Sequence, residues 1–278
     1  MSRELLPYQR AESSLLKEFR KTLWAPFLTA INTYQLLSPG DRVAVCVSGG
    51  KDSMLMAKLM QELRRHTDFP FDLEFLVMDP GYTPANRARI EENAALLHVP
   101  LRFFETDIFA STEQAVRSPC YLCARMRRGH LYSQAQQLGC NKIALGHHRN
   151  DVIETTVLAL FYGGQLQAMP PKLRSQNFPG MELIRPLYCI READIVSWQN
   201  ANHLHFIQCA CRVTERASQE ADATKRQEIK QLLAKLSQGN PNVENSIFHA
   251  IHNVAVDTMV GVKSRGHLAD FNELFANR

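Results

Sequence analysis

Residues 43–53 read Val-Ala-Val-Cys-Val-Ser-Gly-Gly-Lys-Asp-Ser, an apolar strand that runs directly into a glycine-rich loop and then into a helical pattern carrying Met54, Leu55, Ala57, Lys58, Leu59 and Met60. The strand lifts the loop to the edge of a sheet. Gly49 and Gly50 permit backbone angles and close approaches that a Cβ would block, so that successive N–H groups can line a concave anion nest. The helix behind the loop points its positive end at the same spot, Ser48 and Ser53 add hydroxyls, and Lys51 adds a charge. A chain of phosphates fits such a nest. The pattern Gly-x-x-x-x-Gly-Lys-Ser/Thr is absent, so the loop is not of the Walker A kind.

Downstream the sequence alternates. Strand patterns at 71–78, 101–105, 142–145 and 183–187 are separated by helical patterns at 85–97, 125–138 and 152–161. The alternation predicts an α/β fold with a parallel sheet covered by helices on both faces. Ligands of such sheets sit beyond the carboxyl ends of the strands, where the 48–53 loop, Asp79, Gly81 and the turn Gly146-His147-His148 all fall. A helical segment with Leu15, Leu16, Phe19, Leu23, Phe27 and Ile31 precedes the first strand. After Arg191 the pattern is mainly helical, ending in a charged helix at 215–236 whose Ile229, Leu232, Leu233 and Leu236 form a stripe suited to core or dimer contact. The expected division is an N-terminal helical segment (1–38), a nucleotide-binding domain (39–195) and a helical C-terminal region (196–278).

With 278 residues, 45% of them hydrophobic, the chain can bury a full core. A net charge of +4 permits an acidic partner such as RNA without requiring one. The start, Met-Ser-Arg-Glu-Leu-Leu-Pro, lacks the apolar stretch of a signal peptide, and no run reaches the length of a membrane span. A cytoplasmic protein with no membrane partner is expected. Its seven cysteines then suit metal ligation, sulfur chemistry or burial better than disulfides.

Cys120-Tyr-Leu-Cys123, at the start of a helix and followed by Arg125, Arg127 and Arg128, brings two thiols close enough to share a metal, beside cations that favour thiolate. Cys209-Ala-Cys211 offers further ligands. A four-Cys zinc site, an iron–sulfur cluster and a redox dithiol all satisfy this spacing. Cys46, Cys140 and Cys189 lie in apolar contexts and read as core.

The Ser-Gly-Gly-Lys-Asp-Ser loop resembles the PP-loop of the N-type ATP pyrophosphatases. Joined to Cys120-Tyr-Leu-Cys123-Ala-Arg-Met-Arg-Arg-Gly-His, Leu145-Gly-His-His-Arg-Asn-Asp151, Phe161-Tyr-Gly-Gly164 and Met169-Pro-Pro-Lys-Leu173, it is similar over residues 40–195 to the tRNA 2-thiocytidine biosynthesis family, the TtcA type. The resemblance implies an adenine nucleotide alpha hydrolase-like fold and an ATP-dependent tRNA sulfurtransferase. ATP would adenylate the C2 oxygen of an anticodon-loop cytidine (C32), and sulfur would replace that oxygen. The implied cofactors are ATP, Mg²⁺ and a 4Fe-4S cluster held by Cys120, Cys123 and Cys211, with Cys209 as the substitute. The implied partners are tRNA and a sulfur donor such as a cysteine desulfurase. Ser48, Gly49, Gly50, Lys51, Asp52 and Ser53 would grip the phosphates, and the strand end Val77, Met78 and Asp79 would face the adenine. Gly146 and His147 would adjoin the nucleotide, with His148 either a contact or a structural hydrogen-bonder. Asp151 would hold Mg²⁺. Arg127, one turn past Cys123, would steady AMP or the cytidine, so that Lys51, Asp52, Asp151 and Arg127 form the catalytic set.

Two positions depart from the family pattern. Asn150 stands where an Asp is commoner, and Gln208-Cys-Ala-Cys211 replaces Pro-Cys-x-x-Cys. Lys172, Arg174, Arg185 and Arg191, around Pro170-Pro171, together with the cluster at 125–128 are the expected RNA-facing cations. A tRNA(Ile) lysidine synthetase-like ligase is the alternative activity, against which Cys120 and Cys123 argue. A non-catalytic nucleotide- or zinc-binding relic is the other alternative, against which the intact 48–53 loop argues.

Overall fold

The computed structural model describes residues 5–106, 119–207, 221–264 and 266–276, with the backbone alone at 119–125 and 221–224. Six strands form one sheet: β1 (Arg42–Cys46), β2 (Asp72–Asp79), β3 (Leu101–Glu105), β4 (Lys142–Ala144), β5 (Lys172–Arg174) and β6 (Glu182–Ile184). Their order is β3-β2-β1-β4-β6-β5. All neighbours are parallel except β5, which runs antiparallel to β6 at the edge. In the centre Val45 pairs with Phe75 on one side and Ala144 on the other. The near-continuous apolar runs of β1 and β2 follow from burial on both faces.

The order fixes where a ligand binds. From β1 the chain steps one way to β2 and β3, then returns across β1 to β4. The loops leaving β1 and β4 therefore diverge and leave a crevice between them.

Helices follow the sequence pattern. They are α1 (Pro7–Leu16), α2 (Ala25–Thr33), α3 (Lys51–His66), α4 (Pro84–Leu97), α5 (Pro119–Gln137), α6 (Arg149–Gly163), α7 (Glu192–Ala201), α8 (Ala221–Gly239), α9 (Val243–His252) and α10 (Phe271–Ala276). Ala44, Cys46, Leu76 and Ile143 form a core with Tyr132 and Ala135 of α5, and α3 also packs against β1 and β2. Lys58 of α3 is fully buried. Its ammonium donates to Glu12 Oε1 (2.7 Å), Gln61 Oε1 (2.9 Å) and the Leu97 carbonyl (2.9 Å), tying α1, α3 and α4 together.

Three features differ from the sequence expectation. The N-terminal helical segment is broken, because Pro26 has no N–H to give. Ahead of it Arg20–Trp24 winds as a π-helical turn, in which Trp24 N–H reaches the Phe19 carbonyl. The strand expected at 183–187 ends at Ile184, since Pro186 cannot join a ladder. The three-residue edge strand β5 and the hairpin β7 (Val262–Ser264) and β8 (His267–Ala269) are too short to show a period. The charged helix is described from Ala221 to Gly239, and residues 215–220 lie outside the described residues.

The chain divides into a unit to Ile229 and a second unit from Lys230, the latter carrying α9, the hairpin and α10. Among the described residues no helix is long and apolar enough to cross a membrane.

Candidate nucleotide-binding and active site

Ser53 shapes the loop between β1 and α3. Its Oγ accepts the Ser48 N–H at 3.1 Å and donates to the Gly50 carbonyl at 2.9 Å, folding the loop back on the first turn of α3. Gly49 has φ +83°, and a Cβ there would lie 2.5 Å from Ile90 Cγ1, so the loop itself demands glycine. Gly50 is different. As N-cap of α3 it has φ −80°, and a Cβ would meet Ser48 Oγ at an ordinary 3.6 Å. Nothing in the protein's own packing requires glycine at 50. What its bare backbone provides is an unobstructed approach to the positive end of a sixteen-residue helix whose N-cap offers no side chain to its first amides. That cradle fits a phosphate chain.

The turn after β4 lies hard against this cradle. A Cβ on Gly146 would sit 3.2 Å from Ser53 N and 3.3 Å from Asp52 C. Between the loops is an open cavity of about 440 Å³, lined by Cys46, Val47, Ser48, Asp52, Ser53, Met78, Arg127, Arg128, Leu131, Leu145, Gly146, His147, Asp151 and Arg226. Ends of β1, β2 and β4 thus meet side chains from α5, α6 and α8.

Lys51 Nζ lies 3.2 Å from Asp52 Oδ2 and 3.1 Å from Glu192 Oε1. Burial opposes its charge, but the two carboxylates outweigh burial and raise its pKa. Burial raises the Asp52 pKa, with His148 and Lys51 pulling the other way and Asp151 adding to the rise. Asp151 and His148 form a reciprocal cap at the start of α6. Asp151 Oδ2 accepts the His148 N–H at 2.9 Å, and His148 Nδ1 accepts the Asp151 N–H at 3.4 Å. His148 is therefore a structural hydrogen-bonder, with Nε2 3.9 Å from Asp52 Oδ1. His147 faces the cavity. Burial, helped by the nearby Arg185, pushes its pKa down to about 4, and its buried Nδ1 has no hydrogen-bond partner among the described residues. It is a neutral imidazole with a donor or acceptor to spare.

Of the candidate site residues, Ser48, Asp52, Ser53, Met78, Arg127, Gly146, His147 and Asp151 line this one cavity, whereas Gly49, Gly50, Lys51, Val77 and Asp79 are not part of its wall. Val77 stays buried within β2. The Asp79 carboxylate is taken up by its own turn, accepting Gly81 N–H (2.9 Å) and Tyr82 N–H (2.7 Å) and pairing with Arg87 at 3.0 Å. Cys120 and Cys123 open α5. Their spacing of three, with Arg127 four further on, puts all three positions on one stripe of a helix that lines the cavity two turns later. Cys209 and Cys211 lie outside the described residues. Among the described residues no three His, Cys, Asp or Glu side chains converge as a metal centre. For a divalent ion accompanying phosphates, the cavity offers the carboxylates Asp52 and Asp151.

Other expectations change. Arg185 is buried, its guanidinium donating to the Pro170 carbonyl, so it holds the 165–171 loop and is not an RNA-facing cation. Lys172 is tied to Glu182 and the Gln35 carbonyl, and Arg191 to Asp194, which leaves Arg174 the most exposed of that group. Cys46 borders the cavity as well as the core, but burial pushes its thiol up to about 12 and keeps it protonated. Glu192 and Arg226 carry no mark in the sequence. Glu192 lies 141 residues from the lysine it holds, and Arg226 is one cation among several on a charged helix, so no spacing rule distinguishes either.

Residues 25–236 match the PP-loop domain family. A tRNA-cytidine(32) 2-sulfurtransferase of Anaeromyxobacter dehalogenans (strain 2CP-C) is 35% identical over 244 residues, 87% of this chain and 82% of the relative. Another protein of that description, from Syntrophotalea carbinolica, is 38% identical over 228 residues, 81% of this chain and 86% of the relative. A third, from Alcanivorax borkumensis, is 35% identical over 266 residues, 93% of this chain and 88% of the relative. The fold is shared with the U34-tRNA thiolase NcsA of Methanococcus maripaludis, solved with its 4Fe-4S cluster. The TM-score is 0.66 and the identity 19%, covering 91% of this chain and 82% of that one.

Proposed function

The chain belongs to the PP-loop tRNA-cytidine(32) 2-sulfurtransferase family, and from that premise we propose that it uses ATP to replace the C2 oxygen of cytidine 32 in tRNA by sulfur. The supporting observation is the convergence, at the switch point of the sheet, of the 48–53 loop, His147, Asp151 and Arg127 on one cavity. A carbonyl oxygen is a poor leaving group until it is adenylated. That Ser48, Asp52, Ser53, Arg127, His147 and Asp151 line one cavity supports a reading in which ATP and the base meet there.

In this reading the loop amides, Ser48 and the end of α3 hold the β- and γ-phosphates, and Lys51 adds its charge once a phosphate competes with Glu192. Asp52 and Asp151 are the carboxylates that would hold Mg²⁺. The strand end at Val77–Asp79, with Met78 on the cavity wall, takes the adenine. The cytidine C2 oxygen attacks the α-phosphorus, the bond to the β-phosphate oxygen breaks, and pyrophosphate leaves. Arg127 balances charge at the α-phosphate and at AMP. Neutral His147 gives a hydrogen bond without adding charge. Cys120 and Cys123, with Cys211, would hold a 4Fe-4S cluster, which supplies an iron site for the sulfur that displaces AMP. The sulfur would come from a donor such as a cysteine desulfurase, in the cytoplasm.

The test is anaerobic incubation of the protein with tRNA, ATP, Mg²⁺, sulfide and lysine, reading AMP and, by mass spectrometry of digested tRNA, the modified nucleoside. One 2-thiocytidine per AMP is expected. Lysine incorporated at C2 would identify a ligase instead, and AMP formation independent of tRNA would reject a tRNA substrate.

A further inference from the structure

Helix α8 reaches the cavity through one side chain. Arg226 Nε donates to Glu154 Oε2 at 3.1 Å, and one terminal nitrogen lies 3.5 Å from Asp151 Oδ1, while the guanidinium lines the same cavity as Ser48, Asp52 and Arg127. Glu154 is 6% exposed and sits one turn beyond Asp151 on α6. A carboxylate that deep needs a cation, and Arg226 is its ion-pair partner here. Holding Nε does more than neutralise Glu154. The guanidinium is planar with five donors in a fixed fork, so anchoring one edge sets the plane and leaves the terminal nitrogens for Asp151 and for whatever fills the cavity. Asp151 is held on its other side by the His148 N–H.

We propose that Arg226 is a phosphate-binding residue of the nucleotide site, delivered to it by α8 and aimed by Glu154. A triphosphate brings several negative charges into a cavity whose own lining carries Asp52 and Asp151, and among the described residues the arginines lining it are Arg127, Arg128 and Arg226. When the nucleotide and its ion draw on Asp151, the terminal nitrogens of Arg226 pass from that carboxylate to phosphate oxygens, while Glu154 keeps the plane in place. In adenylation the electron pair of the breaking Pα–O bond goes to the pyrophosphate oxygen, and the N–H groups of Arg226 donate to that developing charge. The inference rests on the ATP-dependent reading above and deepens it.

Arg226→Gln, Arg226→Lys and Glu154→Gln decide it, in the full-length protein, by three readouts. Binding of α,β-methylene-ATP without tRNA, AMP formation with tRNA, and melting temperature are measured together. Arg226→Gln should weaken the analogue about tenfold and slow AMP formation about a hundredfold at unchanged KM for tRNA. Arg226→Lys should recover part of both losses, because it returns the charge without the fork. Glu154→Gln should fall between Lys and wild type. Unchanged analogue affinity and AMP rate in Arg226→Gln, with only a lower melting temperature, would reduce Arg226 to a partner for Glu154 and overturn the proposal. A raised tRNA KM and a flattened salt dependence at unchanged AMP rate would make it an RNA contact and overturn the proposal as well. If the wild-type protein made no AMP with tRNA, the proposed function would fail, and the analogue arm would still decide Arg226.

Discussion

The side-chain oxygen of Asn150 accepts the backbone N–H of Glu192 at 3.0 Å, and the carboxylate of Glu192 holds Lys51 at 3.1 Å. One hydrogen bond therefore joins the first turns of α6 and α7, and through them the cap of α6 is linked to the lysine of the loop. Asp at 150 would supply the same oxygen. Asn150→Asp should match or modestly exceed wild-type AMP formation. Asn150→Ala removes that hydrogen bond, which costs about 1 kcal/mol, and should raise the KM for ATP as Glu192 shifts. Thermal melts with ATP titrations check both variants. An Asn150→Ala protein with wild-type stability and KM would show the link to be idle.

The two loop glycines separate folding from binding. Gly49→Ala meets both a positive φ and a 2.5 Å contact with Ile90, so it should destabilise the protein by about 2 kcal/mol or more. Gly50→Ala meets neither. It should leave the melting temperature in place and weaken nucleotide binding at least tenfold, because its methyl group would stand where a phosphate approaches. Calorimetric melting and binding of an ATP analogue distinguish the two, and similar behaviour in both variants would mean that Gly50 serves the fold.

The central strands were legible because β1 and β2 are buried on both faces and their apolar runs are unbroken, and the 48–53 loop because its residue types are chemically unusual together. Together they mark the carboxyl ends of β1 and β4 as the expected nucleotide crevice. The edge strand Lys172–Arg174 and the terminal hairpin escaped because three residues carry no period. Arg185 differs from the expected RNA-facing cation because residue type says nothing of burial: it is among the more buried charges of the described residues. Lys51–Glu192 and Arg226–Glu154 could not be read at all, since each is a contact between segments far apart in sequence, fixed only when the sheet brings their helices together.

His147 makes stability depend on pH. Its pKa is lowered to about 4 in the folded protein, chiefly by burial and then by Arg185, with Asp151 opposing and Arg226 and His148 adding to the fall. An unfolded histidine titrates near 6.5. Between about pH 6.5 and 4 the unfolded chain therefore binds the extra proton, and stability falls as pH falls through that window, by a few kcal/mol in all at most. His147→Asn should remove that part of the slope. Denaturant melts of both proteins at pH 7, 6, 5 and 4.5 test this, and parallel curves would place the charge change elsewhere.

Asp151 caps α6, and one substitution can separate that cap from the metal-holding role proposed for its charge. Asp151→Asn keeps an oxygen for the His148 N–H, so the cap of α6 and the melting temperature should be nearly preserved. It removes the charge that would hold Mg²⁺ against the phosphates, and AMP formation should slow about a hundredfold or more. Lys51→Ala and Asp52→Ala should abolish it. A Mg²⁺ titration is the measurement. Wild-type rates for Asp151→Asn at every Mg²⁺ concentration would make Asp151 a cap alone and move the ion to Asp52.

The family resemblance implies a 4Fe-4S cluster on Cys120, Cys123 and Cys211, with Cys209 as the substitute, and the positions of the seven cysteines make that set testable. Cys120 and Cys123 share a stripe of α5 with Arg127, so a cluster bound there would lie on the side of the helix that continues into the cavity. Cys46 and Cys140 are poor alternatives, because burial pushes their thiols up to about 12 and about 11, and a ligand must give up its proton. Cys189 is also raised by burial, against the pull of Arg149. The remaining thiols are Cys209 and Cys211. Cys120→Ala and Cys123→Ala should each lose iron and thiolation while ATP-analogue binding survives, since the phosphate cradle is built by other elements. One of Cys209→Ala and Cys211→Ala, expected to be the latter, should behave the same way, and the other should keep both iron and activity. Iron analysis and Mössbauer spectra of anaerobically purified protein decide the matter. Four-iron signals are expected in the wild type, whereas zinc in their place, or iron unchanged in all four variants, would exclude a cluster on these residues.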